Sequence, residues 1–103
     1  MQGTLATVAR WLEENVSRLG LVQIRYEVIE NPAKLHAGYE RSNFLISVTA
    51  WEQGACLDVE ILDKTTRAIE IVVQGPCKSQ VDVIERLNAF ASCLTESARA
   101  LSR

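Results

Sequence analysis

Two carboxylates, Asp58 and Glu60, stand two positions apart in a segment that alternates apolar and polar residues. In an extended strand this spacing places both side chains on one face, about 6.8 Å apart. Carboxylate pairs at such separations hydrolyse glycosides when a saccharide cleft surrounds them. An open sheet in a domain of this size has no deep cleft, so the pair is better interpreted as solvated strand residues or as contacts for another protein.

Histidine and cysteine suggest little further chemistry. His36 is the only histidine in the chain, and no G-x-S-x-G elbow or other nucleophile motif accompanies it. The three cysteines, Cys56, Cys77 and Cys93, are widely spaced and odd in number, which predicts neither a disulfide framework nor a zinc site. We expect three reduced, apolar side chains, whose reactivity the sequence leaves open. Glycine-rich phosphate-binding motifs are absent from the sequence as well. The prediction is therefore a protein that is not an enzyme and that holds no metal or other cofactor.

Composition narrows the class of protein. The chain has 103 residues and a net charge of -2, and its 11 basic residues are scattered along the sequence. Nucleic-acid binding needs clustered Lys and Arg, so it is not expected. Arg10, Glu13 and Glu14 interrupt the amino-terminal apolar stretch well before the roughly 20 residues of a membrane span. No signal peptide is recognised either, and the expected location is cytoplasmic.

Three alternating segments between residues 43 and 75 predict an antiparallel sheet. A period of two over three successive runs, separated by short polar turns, implies one buried face and one wet face. Residues 52–55 and 63–66 are the predicted hairpin turns, with Gly54 available for a positive φ in the first of them. The predicted buried positions are Phe44, Ile46, Val48, Ala50, Leu57, Val59, Ile61, Ile69, Ile71 and Val73.

A further strand is predicted before these three. Residues 21–30 alternate in the same way, with one set expected inside and the other outside. The expected inner set is Val22, Ile24, Tyr26 and Val28, and the expected outer set is Gln23, Arg25 and Glu27. Pro32 ends this strand because it lacks an amide donor, so residues 31–42 are predicted to form a long loop. Functional residues often lie in such loops.

Helical periodicity flanks the strands. Residues 4–19 predict an amphipathic helix that Thr4 caps and Gly20 ends. A second helix is predicted to start at Ser79, with Asp82 completing the start signal. Its apolar stripe is Ile84, Leu87, Ala91, Leu94, Ala98 and Leu101.

These elements predict one α+β domain over residues 1–103. The order α-β-β-β-β-α favours a two-layer sandwich, in which both helices cover the apolar face of a four-stranded antiparallel sheet. The opposite face would then stay open, with acidic and apolar side chains together, as is typical of a surface for another protein. The predicted contact residues are Leu45, Thr49, Trp51, Asp58, Glu60 and Glu70 on the sheet, and His36 and Tyr39 in the loop.

One part of the sequence resembles a known family. The run ISVTAWEQGACLDVEILD, residues 46–63, is followed by a polar turn, another strand and a terminal amphipathic helix. This pattern, with Trp51, Gly54, Asp58, Glu60 and Asp63, resembles the TriTu family of immunity proteins, which are small cytoplasmic proteins of bacterial polymorphic toxin systems. The resemblance implies that the chain binds one cognate toxin and blocks it without catalysis. The run at residues 72–77 departs from the family pattern, so the transfer of residues stops at Asp63.

Two hypotheses follow from the sequence. The first is an immunity protein that binds a toxin through the open sheet face. The alternative is an adaptor similar to secretion chaperones, an obligate dimer that binds an extended effector segment. In that case the carboxy-terminal stripe from Ile84 to Leu101 would be a candidate dimer seam. Both hypotheses predict a protein partner and neither nucleic acid nor membrane, and the sequence does not decide between a monomer and a homodimer.

Overall fold

The structure, a computed structural model, describes residues 3–52 and 56–101, with side chains as far as residue 95. In chain order the elements are α1 (Gly3–Asn15), β1 (Val22–Glu30), β2 (Ala33–Arg41), β3 (Phe44–Trp51), β4 (Leu57–Asp63), β5 (Ile69–Val73) and α2 (Gln80–Leu101). Neighbouring strands pair antiparallel in the order β1-β2-β3-β4-β5. The two helices and the antiparallel sheet are confirmed, and the sheet has five strands where four were predicted.

The extra strand is β2, so the predicted loop over residues 31–42 is wrong. Leu35, Ala37 and Tyr39 alternate inward along β2 and are almost completely buried. Low β-propensity residues such as Ala, Gly and Lys occupy much of this strand, which is why composition did not indicate it. A cis peptide bond before Pro32 lies in the β1-β2 connection, and Ser42 has a φ of 52° between β2 and β3. Because every strand pairs with the next one in sequence, the sheet is a simple meander.

The core lies between the helices and one face of the sheet, called here the helix face. α1 packs over β2 and β3, and α2 packs beside α1 and over β5. The inward positions predicted for β3 and β4 are confirmed, since Ile46, Val48 and Val59 are among the buried residues. The helices contribute Leu5, Val8, Trp11, Leu12, Val83, Leu87, Phe90, Ala91 and Leu94.

A glutamate from the sheet satisfies the first amides of α1. The Glu52 carboxylate, just beyond β3, accepts hydrogen bonds from the amides of Thr4 at 2.8 Å and Leu5 at 3.4 Å. A negative charge is favourable at this end of a helix dipole. Thr4 therefore does not serve as the predicted cap. α1 also ends earlier than predicted, at Asn15, and Gly20 adopts a φ of 69° in the turn that follows.

The start of α2 agrees with its sequence signal. The amide of Asp82 donates to Oγ of Ser79 at 3.4 Å, and Oδ2 of Asp82 accepts from the amide of Lys78 at 2.8 Å. The stripe that follows is buried at Leu87, Ala91 and Leu94, whereas Ile84 is 37% exposed. Ala98 and Leu101 lie outside the residues whose side chains are described. The predicted turn at Gly54 lies outside the residues whose backbone is described.

Inward positions were predicted wrongly on both edge strands. In β1 the four residues of the expected inner set are all exposed. Tyr26 and Val28 lie on the helix face, but the helices pack mainly over β2, β3 and β5, and Val22 and Ile24 lie on the opposite face. A bulge between Gln23 and Arg25 also breaks the alternation of this strand. In β5 a register shift opposite Val59 and Glu60 turns Ile69 and Ile71 away from the helices. Val73 alone of that predicted set is buried.

Cys56 and Cys77 form a disulfide, so the expectation of reduced thiols is wrong for these two residues. The bond joins the start of β4 to the segment before α2, and the amide of Cys56 donates to the Gly75 carbonyl at 3.4 Å alongside it. The sequence did not indicate this pair because the two cysteines are widely spaced. They meet because β4 and β5, which lie between them, pair antiparallel. Cys93 lies half-buried on α2.

We expect loss of this disulfide to lower the free energy of unfolding by about 3 kcal/mol. The bond closes a loop of 21 residues, and the cross-link removes chain entropy mainly from the unfolded state. Urea unfolding of the oxidised protein, the reduced protein and the Cys56→Ala, Cys77→Ala double variant would measure the effect. Equal midpoints for the oxidised and reduced protein would contradict it.

Candidate functional site

The sheet face away from the helices, called here the open face, carries four cross-strand rows of side chains. Residues directly opposite each other in antiparallel strands share a face, so the register assigns every position. The first row is Val22, Glu40, Leu45, Leu62 and Ile69; the second is Arg25, Gly38, Ser47, Glu60 and Ile71; the third is Glu27, His36, Thr49 and Asp58; the fourth is Ile29, Lys34 and Trp51. The first row is mostly apolar and the third is polar.

A shallow depression of about 260 Å³ lies near the middle of the open face. It exists because Gly38 leaves a gap in the second row, where it has no side chain. Leu45 and Leu62, in the adjacent first row, form an apolar wall beside this gap. A Cβ added to Gly38 would lie 3.4 Å from Cβ of Arg25, which is ordinary contact distance. Glu60 also lines the depression. Such a recess fits a single side chain inserted by a partner.

Exposed aliphatic side chains extend the apolar first row to both edges of the sheet. Val22 is 64% exposed on β1, and Ile69 is 62% exposed on β5. Ile71, in the second row, is 54% exposed. Large aliphatic side chains at this level of exposure on one continuous face indicate an interaction surface.

The open face carries two carboxylates without a partner within the described part of the chain. Glu27 pairs with Arg25 at 3.0 Å, and Glu40 pairs with Lys64 at 3.0 Å. Asp58 and Glu60 form neither a hydrogen bond nor an ion pair among residues 3–52 and 56–101. Because unpaired carboxylates keep their full attraction for basic groups, these two give the middle of β4 its acidic character.

His36 occupies the centre of the polar third row. Its Nδ1 lies 3.1 Å from Oγ1 of Thr49, its cross-strand neighbour. Partial burial lowers the pKa of His36 below its usual value of 6.5, and the positive charges of Arg25 and Lys34 lower it further, against a smaller opposing effect of Glu27. The ring is therefore neutral at neutral pH and acts as a hydrogen-bonding residue of the surface.

We expect His36 to make the protein less stable as the pH falls below about 6.5. The folded state holds the ring neutral, so the unfolded state binds more protons in this range, and stability rises with pH. Unfolding free energies measured from about pH 8 to about pH 5 should show a smaller decrease for His36→Gln than for the original chain. Identical decreases would contradict this assignment.

Trp51 closes one corner of the open face. It is half-buried at the end of β3, and Nζ of Lys34 lies 5.8 Å from the centre of its ring, within range of a cation-π interaction. Large aromatic residues beside basic ones are common anchors in protein interfaces. Trp51 therefore adds a rigid apolar contact next to the polar third row.

The structure brings together six of the eight predicted contact residues: Leu45, Thr49, Trp51, Asp58, Glu60 and His36. Tyr39 lies instead on the helix face, where it is 1% exposed and burial raises its pKa to about 12. Glu70 is opposite Ile61, so it belongs to the helix-face side of the outer strand. Neither side chain is part of the open face.

The residues that sequence reasoning missed are Val22, Gly38, Ile69 and Ile71. Val22 and Ile69 alternate as inner residues do, and they face the open side because the register of β1 and of β5 is irregular. The position of Gly38 could have been recognised from the sequence, since the apolar residues Leu35, Ala37 and Tyr39 alternate around it. That alternation predicts a strand with a gap in its outer row.

No family model, curated protein or solved structure matches this chain. Within the described ranges, no three His, Cys, Asp or Glu side chains form a group able to hold a metal ion. Over the same residues, no helix has the length and apolar character needed to cross a membrane.

Proposed function

We propose that this chain is a non-catalytic immunity protein that binds and neutralises a cognate bacterial toxin through the open face. The observation that carries the proposal is the uncovered face itself. It combines an apolar first row, a recess at Gly38, and two carboxylates, Asp58 and Glu60, that have no partner in the described part of the chain. Apolar contacts give such a surface affinity, while the carboxylates select a basic partner.

The mechanism is physical occlusion. Toxins that act on nucleic acid or other anionic substrates have basic clefts, and an acidic sheet face complements such a cleft. Long-range attraction speeds the encounter, and a standard interface of roughly 1,200–2,000 Å² then excludes the substrate. A five-stranded sheet is wide enough to supply one side of that contact. We place this activity in the cytoplasm, where the toxin would act. Thiols are usually kept reduced in that compartment, so the Cys56–Cys77 bond does not itself support this location.

The packing of α2 favours this function over the adaptor alternative. A dimer seam along the carboxy-terminal stripe would need Leu87, Ala91 and Leu94 at the surface. All three are buried in the chain's own core, against α1 and the sheet. Their removal to a partner would open that core, so the stripe serves intramolecular packing.

A growth-protection assay tests the proposal. The chain would be co-expressed with the product of a toxin-like reading frame adjacent to its gene, and we expect it to restore growth. Gly38→Leu should abolish protection because it fills the recess, whereas Gly38→Ala should retain it because a single Cβ meets only ordinary contacts. Thermal unfolding of both variants shows that they remain folded. Full protection by folded Gly38→Leu would contradict the assigned surface, and lack of protection by the original chain would contradict the function.

A further inference from the structure

The edge strand β1 exposes large apolar side chains on both faces of the sheet. Val22 and Ile24 lie on the open face, where Ile24 lines the recess beside Gly38. Tyr26 and Val28 are opposite the buried residues Ala37 and Leu35, so they lie on the helix face, yet each is more than 40% exposed. A partner resting on the open face would cover the first pair alone. A neighbour that covers both pairs has to lie beside β1, in the plane of the sheet.

The backbone of β1 is suited to such a neighbour. The strand has nine residues and pairs with β2 along one side. Along its other side, alternate amide and carbonyl groups have no partner strand in the described part of the chain. The opposite edge differs, because β5 has five residues and exposes its isoleucines on the open face alone. An added strand is therefore expected at β1.

We propose that the strand added at β1 is β1 of a second copy of this chain, which joins the two sheets into one. The charges of the strand support a self-complementary pairing. Arg25 and Glu27 flank Tyr26, and their side chains are 62% and 47% exposed while they pair with each other at 3.0 Å. Antiparallel pairing about a twofold axis at Tyr26 sets Arg25 opposite the partner's Glu27, and the same contact repeats on the other side of the axis.

Electrostatics selects this register over its neighbours. An axis at Glu27 would oppose two glutamates of like charge, which is destabilising. An axis at Val28 would set Glu27 against the partner's Ile29 and lose the ion pairs. The bulge at Ile24 increases the local twist and shortens the regular ladder, so the dimer is expected to form with micromolar affinity. The twofold axis is perpendicular to the sheet, so both open faces lie on the same side of the dimer.

Charge-reversal variants of the full chain test the proposal. Sedimentation velocity of the original chain should show a monomer–dimer equilibrium between micromolar and near-millimolar concentrations. Arg25→Glu and Glu27→Arg should each be monomeric alone, because each opposes like charges across the axis. Their equimolar mixture should form heterodimers. The Arg25→Glu chain has glutamate at positions 25 and 27, the Glu27→Arg chain has arginine at both, and opposite charges then face each other across the axis. Ile71→Lys, on the opposite edge, should leave the dimer unchanged.

Three outcomes would overturn the proposal: a monomer for the original chain throughout this range, an undiminished dimer for Glu27→Arg, or no association in the mixture. Unfolding curves for each variant show whether the single chains stay folded. The inference is independent of the proposed function, because oligomeric state is measured without a toxin.

Discussion

Asp58→Lys combined with Glu60→Lys is expected to weaken binding of the proposed toxin at least about a thousandfold. Both carboxylates lie on the open face without partners among the described residues, so an acidic interface would lose two attractions and gain two repulsions. Reversal of one close charge pair in an interface costs roughly 2 kcal/mol or more, and two such sites give the stated factor. Titration calorimetry with the purified toxin would measure the change.

Glu14→Lys combined with Glu85→Lys provides the matched control. Both glutamates are exposed on the helices, on the opposite side of the molecule, and the double variant has the same change in net charge. We expect it to retain affinity within about tenfold, since long-range attraction alone is altered. Equal losses in the two double variants would show that net charge, and not the open face, governs binding.

Phe90→Ala is expected to lower the free energy of unfolding by about 3 to 5 kcal/mol. Phe90 is completely buried where α2 meets α1, with its ring centre 6.1 Å from that of Trp11. Removal of the ring loses its transfer free energy and leaves a cavity between two helices that are held in place by the sheet. This is a large fraction of the stability of a domain of this size.

Urea unfolding would measure this effect, with Val81→Ala as the control on the same helix. Val81 is 65% exposed, so its truncation should change stability by less than about 0.5 kcal/mol. A loss of under about 1 kcal/mol for Phe90→Ala would mean that the two helices close the cavity by moving together.

The centre of the sheet could be predicted from sequence because local pattern and tertiary environment agree there. Ile46, Val48, Leu57 and Val59 alternate with polar residues, and the helices cover them as a period of two requires. Ser79 and Asp82 likewise act within one helical turn, so the start of α2 depends on nothing distant. The positions of Leu45, Thr49, Asp58 and Glu60 on the open face follow from the same alternation.

The edges of the sheet could not be predicted in this way, because exposure there depends on the reach of other elements. Val28 points toward the helix layer, as the alternation requires, but the helices pack mainly over β2, β3 and β5. Ile71 faces the open side because a register shift moves it, and its sequence neighbourhood carries no mark of that shift. Glu52 as the helix cap is a similar case, since 48 residues separate it from Thr4.

The meander order has a consequence for synthesis on the ribosome. Each strand pairs with the one made just before it, so the sheet can assemble in sequence as the chain emerges, over short loop closures. α2 emerges after all five strands, and until then the part of the apolar layer near β5 remains uncovered. The nascent protein is therefore expected to pass through a stage in which the sheet has formed and α1 alone covers its apolar face. At this stage aggregation or chaperone binding competes with the docking of α2.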